Sequence, residues 1–288
     1  MILVTGATGP FGRTTIEFLI KKGVPVTGIA ALIRDASKAA DLKEKGVTLR
    51  VGDYTNYASL VAAFNGVDKL LLVSGNDINT RLEQHTNVLK AAGESRVKHI
   101  VYTSFARKNE TSSSPIAFVA HSHIETEKLA KASGMSYTIM RNGLYADMLP
   151  IFFGEKVLET GIFLPAGKGK AAYATRQDMA EAAANVLTGT GHENREYEIT
   201  NIVNYTLDDA ADMLSKITAK EISYNSPTPE GFIETLTTAG VPNEYIGLFA
   251  AFSEAIRQGE FDATHSDLPL LIGRAPTSLE DFLKTVYK

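Results

Sequence analysis

The chain contains no cysteine among its 288 residues. That excludes disulfides, thiolate metal sites and cysteine nucleophiles, and it is compatible with a reducing cytoplasm. It also has no basic run and no lysine–arginine stripe, and its net charge is −4, so the electrostatic footprint of a nucleic-acid binder is missing. No apolar run approaches the roughly 18 to 20 residues needed to span a bilayer. The first apolar strand begins at residue 2, leaving no room for the basic n-region of a signal peptide. A cytoplasmic protein with no membrane and no nucleic-acid partner is expected. The nucleophile-elbow pattern Gly-x-Ser-x-Gly is absent, and no His/Asp/Glu set has zinc spacing. His121 and His123 are separated by one residue, a spacing that points them away from each other on a helix. They are expected to form a polar helix start, and no metal is expected.

What is present is an ordinary globular composition, 44% hydrophobic and 22% charged. A chain of this length can bury a large core in one big domain or two smaller ones. Its organising stretch is residues 1–22. Ile2, Leu3 and Val4 make a short, wholly apolar run of the kind buried on both faces of a parallel sheet. A turn with Gly6, Gly9 and Gly12 follows, and then Ile16, Phe18, Leu19 and Ile20 fall on positions suited to a helix packing back on the sheet. At such a helix N-terminus unpaired N–H groups and the helix dipole attract an anion. Glycine lets the backbone approach a pyrophosphate, where a Cβ would hold it away. The spacing is G-x-x-G-x-x-G rather than G-x-G-x-x-G, and an ordinary tight turn is the bland alternative. Its place between an apolar strand and a helix favours dinucleotide binding.

Short apolar runs then alternate with helical patterns. Strands are predicted at 24–33, 47–51, 69–73, 99–103 and 137–140, with helices at 37–45, 58–64, 80–92 and 122–132. This alternation predicts an α/β fold with a doubly wound parallel sheet that binds ligands at its C-terminal strand ends. The glycine- and proline-rich stretch 150–170 reads as a helix and then a loop or short strand. A helix at 178–187 and a strand at 197–200 follow, and further helices are predicted at 207–217, 231–238, 244–258 and 279–287. Thr206 and Ser278 suit N-caps. The expected layout is a Rossmann domain over 1–149, completed by 172–204, with a small, mostly helical substrate lobe from 150–171 and 205–288.

Arg34 ends the second strand, with Lys38 one helical turn on. An arginine there suits the 2′-phosphate of NADP, whereas NAD enzymes usually place a carboxylate. Asp35 can pair with Arg34 or turn to the ribose. NADPH is therefore the expected cofactor, with NADH second. Asp53 follows the third strand, where it can meet the adenine amino group or cap the helix near Tyr57. Ser74, Gly75 and Asn76 follow the fourth strand, a place that borders ribose or pyrophosphate.

Ten stretches carry a family resemblance: VTGATGPFGR, LIRDASKA, GDY, KLLLVSG, QHTNVLKAA, HIVYTS, HIETEKLA, YTIMRNGLY, ATRQDMAEAAA and GHENREYEIT. The chain resembles the NmrA-like branch of the atypical short-chain dehydrogenase/reductases through about its first two hundred residues. The match continues more loosely to LIGRAPTSLEDFL. The resemblance implies that Gly6, Thr8, Gly9, Pro10, Phe11 and Gly12 hold the pyrophosphate and Arg34 the 2′-phosphate. Ser74, Gly75 and Asn76 would meet the nicotinamide-side ribose, and Asn142, Gly143 and Tyr145 the nicotinamide. Arg176 would lie near the cofactor. Lys128 matches the lysine that bonds the nicotinamide ribose, so Lys128, Asn142 and Tyr145 form the expected catalytic set.

One departure bears on the chemistry. Conventional short-chain members carry a catalytic tyrosine four residues before that lysine, and here the position holds Ile124. Tyr102 and Tyr145 are the remaining candidate hydroxyls. Reducing a ketone makes an alkoxide that needs an acid beside it. Reducing a quinone makes a phenolate-like anion of pKa about 10, which water can protonate later. The expectation is NADPH-dependent hydride transfer to a flat aromatic or quinonoid substrate, without flavin. The alternatives are reduction of a triphenylmethane or azo dye by the same step, or a non-catalytic redox sensor. A homodimer is left open.

Overall fold

The computed structural model describes residues 1–288. The chain runs β1 (Ile2–Val4), α1 (Pro10–Lys21), β2 (Ile29–Ile33), α2 (Ala40–Glu44), β3 (Thr48–Val51), α3 (Tyr57–Phe64) and β4 (Lys69–Leu72). Next come α4 (Arg81–Glu94), β5 (His99–Phe105), α5 (Ala117–Ala132) and β6 (Ser136–Asn142). It leaves the sheet for α6 (Leu149–Phe153), α7 (Val157–Thr160) and β7 (Ile162–Phe163), then returns through α8 (Arg176–Thr188) to β8 (Arg195–Ile199). The remainder is α9 (Leu207–Thr218), β9 (Tyr224–Asn225), α10 (Pro229–Thr238), α11 (Asn243–Arg257), α12 (Leu268–Ile272) and α13 (Leu279–Tyr287).

Seven strands pair in parallel in the order β3-β2-β1-β4-β5-β6-β8. The order reverses between β1 and β4, and a crevice opens beyond the strand ends at such a reversal. The sheet is buried on both faces because side chains alternate along each strand. Val4, Ala31, Leu71, Met140 and Ile199 face α1 and α8, while Leu3, Ala30, Leu70, Ile100 and Ile139 face α3, α4 and α5. A third core, built on residues such as Leu149, Leu214, Phe232 and Leu283, fills the lobe. β7 and β9 form a small separate parallel sheet there.

Several boundaries differ from the expected ones. Residues 24–28 are not strand, because Val26–Gly28 forms a 3₁₀ turn ahead of β2. The helix expected at 37–45 is a 3₁₀ turn, Ala36–Ala39, joined to the short α2, and the Asp35 side chain caps that turn by accepting from Ser37 N. α5 begins at Ala117, five residues before the expected start. His121, Ser122 and His123 therefore lie in its second turn, and the buried Ser122 and His123 are not a solvated helix start. α12 was not expected. It packs into the core beside α8, so residues 268–272 belong with the sheet and not with the lobe.

Candidate active site

The glycine loop is shaped from the backbone outward. Gly6 has φ +58°, a left-handed conformation that favours glycine. A Cβ on Gly12 would sit 2.5 Å from Gly6 O and 2.8 Å from Thr5 O, so only glycine lets α1 start this close to β1. Gly9 N donates to Gly6 O at 2.9 Å and Gly9 caps α1. Pro10, at the first helical position, has no N–H to satisfy. The N–H groups of Phe11 and Gly12 precede the first intrahelical donor, leaving two outward donors at the positive end of the helix dipole. The Phe11 ring is buried in the core, so only its backbone serves the loop. Thr8 is exposed beside it. Thr5 Oγ1 accepts from Val73 N at 2.9 Å and from the Tyr54 hydroxyl, tying the loop to the end of β4.

On the β2 side, Arg34 is exposed and joined to no carboxylate. Asp35 is occupied by Ser37, whose N and Oγ lie 2.9 and 2.7 Å from Oδ1. It caps and does not pair with Arg34. Arg13 pairs with Asp41 and donates to Lys38 O at 3.0 Å, which holds the Arg34–Lys38 segment against α1. Asp53 does not cap α3, since the Asn56 side chain does so. Asp53 Oδ1 accepts instead from Thr55 N and Oγ1 at 2.9 and 2.8 Å. Those hydrogen bonds from Thr55, with a contribution from the Arg34 charge, hold the carboxyl below its usual range.

Beyond β4 the structure gathers a cluster that sequence reasoning missed. Arg81, at the start of α4, is 6% exposed and makes no ion pair. Its Nε donates to Gly75 O at 2.7 Å. One terminal nitrogen reaches Ser122 Oγ and His123 Nε2, both at 3.3 Å. Because a guanidinium only donates, His123 Nε2 accepts, and Nδ1 carries the proton toward the Tyr102 oxygen at 2.7 Å. Gly75 N donates to His85 Nε2 at 3.1 Å, so the His85 proton is on Nδ1, which faces Thr126 Oγ1 at 3.0 Å. Burial, reinforced by the Arg81 charge, pulls His85 down to about 3 and holds His123 well below its usual value. Both are neutral at pH 7. Ser74 is fixed by its N–H on Thr103 Oγ1 at 2.9 Å, while its buried hydroxyl has no protein partner. Asn76 is exposed at the rim.

Lys128 is not part of this assembly. Its side chain is 67% exposed and Nζ pairs with Glu125 of the same helix at 2.8 Å. The reason is helical phase. The buried row of α5 is Val119, Ala120, Ser122, His123, Thr126, Glu127 and Ala130, and Lys128 lies off it. The structure therefore does not bring Lys128 to this cluster, and the inward side chain at this level is His123. Position 124 is off the same row. Glu127 is on it, bound by Arg107 at 2.8 Å and Arg141 at 2.8 Å. Burial pushes its carboxyl up, but hydrogen bonds from Arg107, Arg141 and Ser104 outweigh that and leave it at about 2.

At the end of β6, Asn142 is 1% exposed. Its Nδ2 donates to the Tyr145 hydroxyl at 3.4 Å, and its buried Oδ1 has no partner. Gly143 is required by packing, since a Cβ there would lie 2.9 Å from Thr200 Cγ2. The Arg176 guanidinium lies 4.7 Å from the centre of the Tyr145 ring, and the Arg176 backbone N–H donates to Asp147 Oδ2 at 2.8 Å. Burial raises the Tyr145 and Tyr102 hydroxyls above their usual pKa, so neither gives up a proton readily. Phe105 leads from this point into the lobe: its ring is 5.7 Å from His123, 5.7 Å from Phe261 and 6.1 Å from Phe252.

An NADPH-sized dinucleotide fits these residues. The glycine cradle would receive its pyrophosphate, the unpaired Arg34 its 2′-phosphate, and the partnerless Ser74 Oγ and Asn142 Oδ1 its nicotinamide half. No three His, Asp or Glu side chains are grouped to hold a metal. No helix is long and apolar enough to cross a membrane.

A model of the NmrA-like family matches residues 1–283. Quinone oxidoreductase 2 of Escherichia coli K12 is 37% identical over 288 residues, covering 100% of this chain and 99% of that protein. The crystal structure of Citrobacter sp. triphenylmethane reductase complexed with NADP(H) superposes with a TM-score of 0.91 at 39% identity, over 99% of each chain. The E. coli NADPH-dependent quinone oxidoreductase complexed with NADPH gives 0.91 at 36% identity, over 100% of each.

Proposed function

The chain belongs to the NmrA-like family, and from that premise we propose that it is an NADPH-dependent oxidoreductase that passes a hydride directly to a quinone. The observation that carries this reading is the Gly6–Gly12 cradle at the strand-order reversal, continued by two buried polar atoms without partners at Ser74 and Asn142. NADPH supplies the hydride, and no flavin is required. The protein's part is to bind, orient and shield.

Arg34 and Lys38 would hold the 2′-phosphate end. Arg81, through the nitrogen left without a protein partner, takes over the orienting duty first expected of Lys128. His123, Ser122 and Gly75 O fix its guanidinium in place. Asn142 and Tyr145 shape the far wall, with Arg176 packed on Tyr145. Phe105, Phe252 and Phe261 give a flat ring an apolar face to lie on. Stacking of this kind supplies the near-attack geometry that a hydride step depends on. The quinone reading also suits two tyrosines whose hydroxyls are held by their neighbours, because the phenolate-like product anion of pKa about 10 needs no poised acid. A triphenylmethane dye would use the same step at carbon.

Steady-state oxidation of NADPH with a panel of quinones, on dialysed protein without added flavin, tests the reading. Turnover with a primary isotope effect from NADPH deuterated at C4 is expected. No turnover with any flat acceptor would overturn it.

A further inference from the structure

A cavity of about 200 Å³ opens at the C-terminal ends of β5, β6 and β8. It is somewhat larger than the roughly 150 Å³ apolar void that takes up a benzene, so it admits one quinone ring. Ala106, Gly143 and Leu144 line it from the sheet side, and Glu260 and Phe261 from the lobe. Glu260 is 6% exposed and pairs with no lysine, arginine or histidine. Its side chain meets one group, the Ser114 hydroxyl, whose Oγ lies 2.8 and 2.9 Å from the two carboxyl oxygens. The same Oγ accepts from Ile116 N at 3.2 Å.

This geometry discriminates between the two protonation states of Glu260. A serine hydroxyl has one proton to give and two lone pairs to receive with. Beside an ionised carboxylate, that proton serves one oxygen and leaves the other against an oxygen lone pair at hydrogen-bond distance. Beside a neutral carboxylic acid, both short contacts are hydrogen bonds. Ser114 donates to the carbonyl oxygen, and the acid O–H donates back to Oγ, whose other lone pair holds Ile116 N–H. Every donor and acceptor is then used.

The charges around the cavity do not reverse that preference. Arg107 is taken by Glu127 and Glu110 at 2.8 and 2.9 Å. Lys108 stands exposed on the same wall and makes no pair with Glu260. Glu198 is bound to Arg141 at 3.4 Å. Asp262 and His265 continue the wall past Glu260, with His265 paired to Asp267 at 2.9 Å. Burial raises the Glu260 carboxyl above its ordinary 4.5, outweighing the Ser114 hydrogen bond. The Glu260 N–H closes the end of α11 on Ala255 O at 3.0 Å, and the negative end of a helix opposes a further negative charge.

We propose that Glu260 is held as the neutral acid by Ser114 and is the proton donor of quinone reduction, entering from the lobe in place of the tyrosine missing at position 124. The proposal rests on the quinone reading above. The quinone gains a hydride and its electron pair as NADPH is oxidised to NADP+. Negative charge gathers on a quinone oxygen, the Glu260 O–H bond breaks, and a new O–H bond completes the hydroquinone. The carboxylate left behind keeps its hydrogen bond from Ser114 and regains a proton from water at the cavity mouth. A carboxyl is far more acidic than a product of pKa about 10, so the transfer runs downhill. The hydrogen bond strengthens as the oxygen gains charge, which places its effect in kcat. Water can also protonate such an anion, so the effect is about ten-fold, below the hundred-fold or more common for general acids.

Glu260→Gln is the decisive variant. Its carbonyl and amide can keep both contacts to Ser114 while carrying no transferable proton. NADPH fluorescence titration reports that it is folded. Infrared difference spectra between wild type and Glu260→Gln at about pH 6 are expected to show a protonated carboxyl stretch that the variant lacks, and its absence from wild type overturns the proposal. With a quinone and saturating NADPH, wild-type kcat is expected to fall as pH rises and Glu260 ionises. In Glu260→Gln it should be about ten-fold lower at the acid end and level with pH. The wild-type profile in a folded Glu260→Gln, or its loss in Lys108→Ala instead, overturns the proposal. A wild type that turns over no quinone defeats the quinone reading and this proposal with it, whereas quinone turnover indifferent to Glu260→Gln defeats the proposal alone.

Discussion

Arg34 is the residue on which cofactor choice turns in the function proposed above. Being exposed and unpaired, it loses little on meeting a phosphate, and charge-assisted bidentate contacts of this kind are among the stronger hydrogen bonds. Arg34→Ala is expected to lower the ratio of kcat/KM for NADPH over NADH by about ten-fold, mostly through KM for NADPH. An unchanged ratio would place the 2′-phosphate elsewhere. Glu127 has the opposite character, since it is fully engaged by Arg107, Arg141 and Ser104. Its carboxyl is depressed in the folded protein to about 2 from an ordinary 4.5. It therefore stabilises the fold fully above pH 4.5, and that contribution fades as pH drops toward 2. Glu127→Gln is expected to cost about 3 kcal/mol in urea unfolding at pH 7, with a gap to wild type that narrows only below about pH 4.5. The place of Arg34 just past β2 was legible in the sequence because strand end and charge are local. The outward bearing of Lys128 was not legible because it depends on helical phase, and the phase of α5 is set by buried packing of Ser122 and His123 that polar residue types conceal.

Among the elements, the β1–turn–α1 unit was the most legible, since each glycine answers a short-range steric demand. Gly12→Ala would drive a Cβ into the backbone oxygens of Gly6 and Thr5. The loop must open, and NADPH affinity, followed by fluorescence titration, is expected to fall at least ten-fold. Gly247, inside α11, makes the matching contrast: nothing lies within 4 Å of its Cβ position. Gly247→Ala is expected to raise unfolding stability by about 0.5–1 kcal/mol and leave NADPH binding alone. The expected caps at Thr206 and Ser278 are present, with Thr206 completing a capping box through Asp209. By contrast α12 and β9 were not read, and β7 was read only as a loop or short strand, these being five and two residues long with too few positions for a period to register.

At the level of the whole molecule, the buried cluster between the sheet and α4–α5 fixes how the protein responds to acid. His85 and His123 are held neutral, with pKa values below the ordinary 6.5. Unfolding therefore takes up protons below pH 6.5. Stability should be level above that pH and decline beneath it, by about 1.4 kcal/mol per pH unit for each histidine. Urea midpoints measured from pH 8 to pH 5 check this. A curve flat down to pH 5 would contradict the burial of either imidazole. That cluster could not be read from sequence, because Gly75, Arg81, His85, Tyr102 and His123 come from four separate stretches and meet only once the strand order is known.

The path between the two bodies has a last consequence. The chain leaves the sheet after β6, returns for α8 and β8, departs again for α9–α11, comes back in α12 and ends in the lobe with α13. Residues 171–174 bridge the two, hydrogen-bonded to Tyr205, Phe261 and Leu144. A cap threaded through its base this often cannot be exchanged as a cassette between relatives. New acceptor preferences would have to arise by piecemeal substitution along the seam, which leaves the nucleotide-holding half constant while the chemistry it serves diversifies.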